Sequence, residues 1–329
     1  VNWAERAGEA ERAVTERHVR RVCGVPGTAL GRIGWPPTGR ERFFLNWGYW
    51  WQAHLLDCVI DAQLRAPAQG RLHLVERLPL SIKLRNAGWT NDYLDDMAWL
   101  GLAMQRVADL GLETGRAQHE LLTQLRDAWT PDAGGGIWWR RHDDFKNTPA
   151  NGPAAIMHAR AGEPSRAAEL VEWLDATLVD PATGLIFDGI RVKSGALERA
   201  TYTYCQGVFI GACLEVGATD EAERTVHAVA KHLAPGGVLI GGGTGDGGLF
   251  NGILARYLAL AAGQLDGSAA ERARDLVLSS AAACWQHAAV GPGGPVFGTD
   301  WNHPTPGARE LSVQLSGWML LEAAATLSS

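Results

Sequence analysis

Several things are scarce in this chain, and each scarcity removes a class of answer. No run approaches the roughly 18 to 20 consecutive apolar residues of a membrane-spanning helix, so no span is expected. The five cysteines, Cys23, Cys58, Cys205, Cys213 and Cys284, are odd in number and lack any short spacing. That fits neither a disulfide framework nor a zinc site. Cys58, Cys205 and Cys213 fall in apolar helical stretches, so buried reduced thiols are expected, which points to a cytoplasmic protein. A basic surplus is missing as well. Thirty Lys and Arg face 36 Asp and Glu, a formal net charge of −6. This argues against nucleic acid or an anionic membrane as a partner. No Ser-His-Asp order, no His-Glu-x-x-His motif and no Asp-rich magnesium motif stands out, so no metal and no cofactor is expected. The first 21 residues read as a charged amphipathic helix, not a signal peptide.

Helical patterns fill the space that strand signals leave empty, and they come in two alternating kinds. One kind is amphipathic. Residues 219–233 put Ala222, Val226, Val229 and Leu233 on one face. Leu121, Leu122, Leu125 and Trp129 do the same in 119–129, and Leu170, Val171, Leu174 and Leu178 in 165–178. A polar opposite face marks such helices as outer ones. The other kind is apolar almost all round. Residues 97–104 and 208–214 show it, as do those around 154–157 and the runs starting near Trp50, Ile253 and Leu315. A helix without a polar face is enclosed on every side. The enclosed runs recur at roughly 45 to 60 residues, too irregular for a tight sequence repeat.

Six enclosed helices alternating with six exposed ones predict an all-α (α/α)6 toroid formed by a single domain over 1–329. An open helical solenoid is the alternative. In a toroid the inner helices run parallel and their N-termini gather at one mouth. The segments before them are polar and aromatic: 46–52, 91–96, 145–151, 201–206, and Phe250 with Asn251. Two Gly-rich stretches are read as connections. Gly243, Gly245 and Gly248 match a nominal dinucleotide fingerprint, but no βαβ unit surrounds them. The stretch 236–248 is expected to be a hairpin or loop carrying Phe250 to the rim. A turn is expected at 180–184, then a short strand at Leu185-Ile186-Phe187.

The most informative feature is a pair of adjacent aspartates, Asp95 and Asp96, just before an apolar helical run. Two charges against a core are costly unless paired, hydrated or used. Successive helix positions point about 100° apart. One carboxylate can therefore lie beneath a sugar ring while its neighbour reaches the bridging oxygen, the pairing that glycosidic cleavage uses. Mutual repulsion should raise one pKa and keep that group protonated. Acidic residues also favour the first turn of any helix because of its dipole, so the pair alone leaves both readings open. Fourteen tryptophans are either core filler or sugar-stacking platforms.

The surroundings of the pair carry a resemblance. Trp50-Trp51-Gln52-Ala53-His54, Asn91-Asp92-Tyr93, Gly136-Ile137-Trp138-Trp139, Lys146-Asn147, Tyr202 to Gly207 and Phe250-Asn251-Gly252-Ile253 with Arg256-Tyr257 occur in this order. Together with Tyr93 to Trp99, the most specific segment, they resemble glycoside hydrolase family 76, the endo-α-1,6-mannanases and their relatives. The resemblance runs from about Trp3 to Trp318. It implies an (α/α)6 fold and a retaining, metal-free mechanism, with Asp95 as nucleophile and Asp96 as general acid/base. Trp50, Trp51, Asn91, Asp92, Tyr93 and Phe250 are the expected substrate contacts nearest the pair. Asp188 is either near the substrate or a turn aspartate. Trp138 and Trp139 are expected along the groove, although one of such a pair is usually core. Asn147, Tyr204 and Gln206 are candidate contacts, with helix capping or loop hydrogen bonds as the alternative for Asn147 and Gln206. His54 reads as a satisfied core histidine. One position departs from the family pattern: Cys205 stands where an asparagine is usual.

The expected substrate is an α-mannan or a mannose-containing glycan or glycolipid, acted on by a monomer. Transglycosylation by the same residues is one alternative, and a catalytically silent glycan-binding homologue is another. A sugar epimerase on the same toroid is weaker and would depend on histidines.

Overall fold

The segments that lack a polar face become a ring. The computed structural model describes residues 1–328. In chain order the ring comprises α3 (Tyr49–Arg65), α5 (Leu94–Asp109), α7 (Thr148–Arg160), α9 (Thr203–Val216), α11 (Phe250–Gln264) and α13 (Leu311–Thr326). Each packs on the next, and α13 packs back on α3, so the ring closes. Closure excludes the open solenoid. Burial follows: every residue of α13 from Leu311 to Ala324 is buried, and every residue of α7 from Thr148 to His158. Some of these contacts require glycine. A Cβ at Gly207 would sit 2.7 Å from the Leu254 Cα, and one at Gly252 2.6 Å from the Ser316 Cα. Side chains there would push apart α9 and α11, and α11 and α13.

The amphipathic segments form the outer layer, as their polar faces require. They are α1 (Trp3–His18), α4 (Gln69–Asn86), α6 (Ala117–Asp127), α8 (Pro164–Leu178), α10 (Thr219–His232) and α12 (Gly267–His287). The predicted (α/α)6 toroid is thus present, with a one-turn helix α2 (Gly39–Arg42) added before α3. No helix among the described residues is long and apolar enough to cross a membrane.

Three small antiparallel sheets decorate the loops. The first pairs β1 (Val19–Arg20) with β2 (Leu30–Gly31). The second orders β3 (Phe145–Asn147), β4 (Gly189–Arg191) and β5 (Ala196–Glu198), with Asn147 opposite Gly189. The third pairs β6 (Ala289–Gly291) with β7 (Gly294–Val296). The strand expected at 185–187 is reduced to one antiparallel bridge, Ile186 opposite Val179, and a strand forms four residues later, as β4. The reason is Gln206, whose amide clamps Ile186 from both sides. It accepts from the Ile186 N–H at 2.9 Å and donates to the Ile186 carbonyl at 2.8 Å. The Ile186 groups that a second neighbour would need are already taken, so this segment pairs on one side only, with 178–180.

Towards the far end of the ring from the inner helix N-termini, four largely buried charges pair along a second cavity. Arg106 donates to Asp57 at 2.7 Å and to Asp61, and Arg256 donates to Asp61 at 2.6 Å. The four side chains come from α3, α5 and α11. Losing one cation leaves a carboxylate pair undercompensated in a low-dielectric setting, at a cost of about 3–5 kcal/mol. Thermal unfolding should therefore show Arg256→Met markedly destabilised. An unchanged melting temperature would mean that the cluster does not hold the ring.

Candidate active site

Asp95 and Asp96 occupy the first turn of α5, at the mouth of the ring. The backbone before them is pinned from the side. The Leu94 N–H donates to the Trp139 carbonyl at 2.8 Å, and the Arg141 N–H to the Asp92 carbonyl at 2.9 Å. Asn91 completes the entry: its Oδ1 accepts from the Tyr93 N–H at 2.8 Å while its Nδ2 donates to Asp96 Oδ2 at 2.7 Å. Asp95 receives two donors, the Trp139 indole N–H at 2.9 Å and the Asp96 backbone N–H at 2.8 Å.

These contacts separate two chemically identical groups. Burial raises both carboxyls. In Asp95 the two N–H bonds pull back, and its pKa settles at about 6. In Asp96 burial is joined by the charge of Asp95, one hydrogen bond opposes them, and the pKa rises well above the ordinary value. Asp95 is therefore the more readily ionised of the two, and Asp96 the one that holds a proton more strongly.

Both carboxyls face a cleft of about 810 Å³ and keep part of their surface open to it. Aromatic side chains wall it. Tyr204 and Phe250 are stacked face to face at 3.8 Å with an interplanar angle of 1°. Trp50 and Tyr202 extend that wall, and a second is made by Tyr93 and Trp139 at 5.4 Å. Tyr49 and Trp99 also reach the cleft. Flat apolar rings rimmed by polar groups match the faces and hydroxyls of sugars. Beneath this wall His54 is fully enclosed against Trp50 and Trp99. Neither of its ring nitrogens has a protein hydrogen-bond partner among the described residues, and burial lowers its pKa to about 3. It is a core histidine as expected, but an unsatisfied and neutral one.

Of the residues singled out from sequence, Trp50, Tyr93, Asp95, Asp96, Trp139, Tyr204 and Phe250 line the cleft. Asn91 acts through Asp96. Trp51 is buried and acts through Asp246. Asp188 lies close enough for the Asp95 charge to bear on it. Burial first, then Glu198 and Asp95, push its carboxyl up to about 7. Asp92 is exposed and offers only its backbone. Trp138 lines a neighbouring cavity, with the Lys146 ammonium 4.8 Å from its ring. Asn147 caps α7, accepting from the Ala150 N–H at 3.2 Å. Gln206 spends its amide on Ile186, as described above. Asn147 and Gln206 thus follow the capping and loop-bonding alternative.

Asp246 was not singled out. Its Oδ1 accepts from both the Trp50 and Trp51 indoles, at 3.0 and 2.8 Å, and its charge helps to raise Asp95 and Asp96. The signal was present: it is the one charged residue in the stretch 236–248. That loop, with a 3-10 turn at Gly245–Leu249, carries Thr244 and Asp246 to the cleft as well as Phe250. A second adjacent pair, Asp143-Asp144, is otherwise occupied. Asp143 meets Arg191 at 3.0 Å, and the Asp144 carboxylate accepts from the Lys193 N–H at 2.9 Å. No cluster of three or more His, Cys, Asp or Glu suited to a metal occurs among the described residues.

The family model for glycosyl hydrolase family 76 matches residues 9–327. The chain belongs to this family. It is therefore a glycoside hydrolase. The GH76A α-1,6-mannanase from Salegentibacter sp. HEL1_6 is 32% identical, with a TM-score of 0.88 and 99% of each chain covered. An inactive variant of that enzyme, with two consecutive aspartates changed to asparagine, is complexed with α-1,6-mannotriose. The Lin0763 protein from Listeria innocua is 30% identical, with a TM-score of 0.88, 100% of this chain and 98% of that one covered.

Cys205 is the position expected from the sequence to depart from the family pattern. Its buried thiol sits 3.9 Å from Asp188 Oδ1, and burial keeps it protonated. A thiol is a weaker donor than an amide. Cys205→Asn should therefore stabilise the Asp188 carboxylate and move its titration below about 7. Asp188 would then ionise at lower pH, which a carboxyl NMR titration reads. An unmoved or higher midpoint would show that residue 205 does not set that proton.

Proposed function

We propose that the chain is a retaining endo-α-1,6-mannanase, with Asp95 as nucleophile and Asp96 as general acid/base. The observation that carries this reading is the unequal environment of the two carboxyls. Asp95 accepts two N–H bonds and is the more readily ionised, while Asp96 lies beside that charge and holds its proton more strongly. The Salegentibacter enzyme supports the substrate class. Its inactive variant, altered at consecutive aspartates, supports the placement, because Asp95-Asp96 is the adjacent pair that faces the cleft here.

The chemistry follows from the two protonation states. The Asp95 carboxylate attacks the anomeric carbon and forms an ester bond. As the glycosidic C–O bond breaks, Asp96 gives its proton to the departing oxygen. Esterification removes the Asp95 charge, so the repulsion that raised Asp96 disappears and Asp96 becomes a carboxylate. It now takes a proton from water, the water oxygen attacks the anomeric carbon, and the ester breaks. Asp95 recovers its charge and Asp96 its proton. Two inversions return the starting configuration. The Trp139 indole and the Asp96 backbone N–H aim the Asp95 oxygens, and the tryptophans held by Asp246 fix the wall beside them.

Linear α-1,6-mannooligosaccharides test the proposal. Product sizing should show internal cleavage, and early proton NMR should show the α-anomer first. Asp96→Asn should lower kcat by about 10²–10⁴-fold, with a smaller loss for aryl mannosides, whose leaving group needs little protonation. Asp95→Asn should be inactive on both. An initial β-anomer, or near-native turnover in either variant, would overturn the assignment.

A further inference from the structure

Large apolar side chains are unevenly spread over the surface. Val25, Phe43, Leu45, Leu80 and Leu84 are each between 45% and 62% exposed. Contacts join the two segments that carry them. The Cys23 Sγ donates to the Phe43 carbonyl at 3.6 Å. On the α4 side, Arg77 donates to the Thr28 carbonyl at 2.6 Å, Ser81 accepts from the Ala29 N–H at 2.8 Å, and Arg85 donates to the Phe44 carbonyl at 2.8 Å. The loop after α1 and the exposed edge of α4 thus make one surface.

The same surface is basic. Residues 19–48 carry five arginines and one acid, Glu41, which is buried and paired with Arg309. Residues 77–90 of α4 and the following turn contain no acid at all. Arg20, Arg21, Arg40, Arg42 and Lys83 are exposed, and none has a carboxylate partner among the described residues. The net charge of −6 averages this face away, which is why composition argued against an anionic membrane.

Its position gives the surface a use. Arg85 lies over the Trp47 ring at 5.4 Å, and Trp47 packs against Tyr49 at 5.8 Å, which lines the cleft. The patch is therefore on the rim of the mouth.

We propose that this rim docks on an anionic lipid surface and presents the cleft to a mannose glycan anchored there. Phe43, Leu45, Leu80 and Leu84 enter the headgroup boundary, and the arginines and Lys83 meet the anionic headgroups. Exposed apolar groups set among unpaired cations suit that boundary, where burial and charge attraction add together. A second copy of the chain is disfavoured because like charges would meet. A nucleic acid would leave the apolar side chains without a role. The choice of an anchored glycan rests on the mannanase reading, whereas the docking does not.

Vesicle co-sedimentation tests this without any need for catalysis. The chain should bind vesicles of equal parts phosphatidylglycerol and phosphatidylcholine, but not phosphatidylcholine alone. Binding should vanish near 1 M salt, where the screening length is about 3 Å. The double variant Arg40→Gln/Arg42→Gln should weaken binding by roughly 30-fold. Phe43→Ser/Leu84→Ser should weaken it as well. Both variants should cleave soluble mannooligosaccharides at the wild-type rate, which shows that they are folded. No binding to the anionic vesicles would overturn the docking even if soluble cleavage stands. So would indifference to the apolar variant, the mark of plain polyanion attraction, and so would a dimer sealed through this face in light scattering.

Discussion

Two carboxyls on successive residues of one helical turn, enclosed by aromatic rings, are both raised by burial, and the charge of Asp95 raises Asp96 further, so repulsion opposes their joint ionisation. The site is organised around that repulsion. Asp95 keeps its charge because the Trp139 indole and the Asp96 backbone N–H donate to it. Asp96 has a single side-chain donor, Asn91, and the charge of its neighbour against it. Asp246 adds a third negative group that raises both and also holds Trp50 of the wall and the buried Trp51. The difference between the two aspartates is therefore set by three hydrogen bonds and by the charges set against them.

The ring exists to hold that arrangement. Enclosed inner helices run parallel, so their N-termini, with their positive dipole ends, converge on the mouth. Glycines at 207 and 252 let neighbouring helices approach closely, and the Asp57, Asp61, Arg106 and Arg256 cluster ties three of the inner helices together away from the cleft. Loops then bring in what the helices do not supply: Trp139 through its backbone pairing with Leu94, and Asp246 through the Gly-rich turn. Helix α5 carries the aspartate pair, and loops from other parts of the chain tune it.

Much of this was legible in the residues. The alternation of all-apolar and amphipathic runs predicts the two layers, because each kind of face has only one way to be buried. The aspartate pair stands out because charge abuts an apolar run. Other parts were hidden for physical reasons. Asn147 and Gln206 look like sugar binders, yet polar residues at helix starts are also what exposed backbone groups require, and in the fold the backbone takes them. Trp138 and Trp139 are indistinguishable in sequence, and only the local bridge geometry sends one to the cleft and the other to a neighbouring cavity. Asp246 sits in a stretch with no periodicity, so nothing in the pattern says where its carboxylate will point.

The central claim is that Asp95 and Asp96 share one proton unequally at neutrality. Carbon-13 NMR of aspartate-labelled protein, titrated through pH 7 in the wild type and in Asp96→Asn, measures this directly. The account predicts a carboxyl still protonated at pH 7 that disappears in the variant, and a second group, Asp95, titrating near 6 in the wild type and little moved once the neutral Asp96 is an amide. Two carboxyls both fully ionised at pH 7 in the wild type would contradict it.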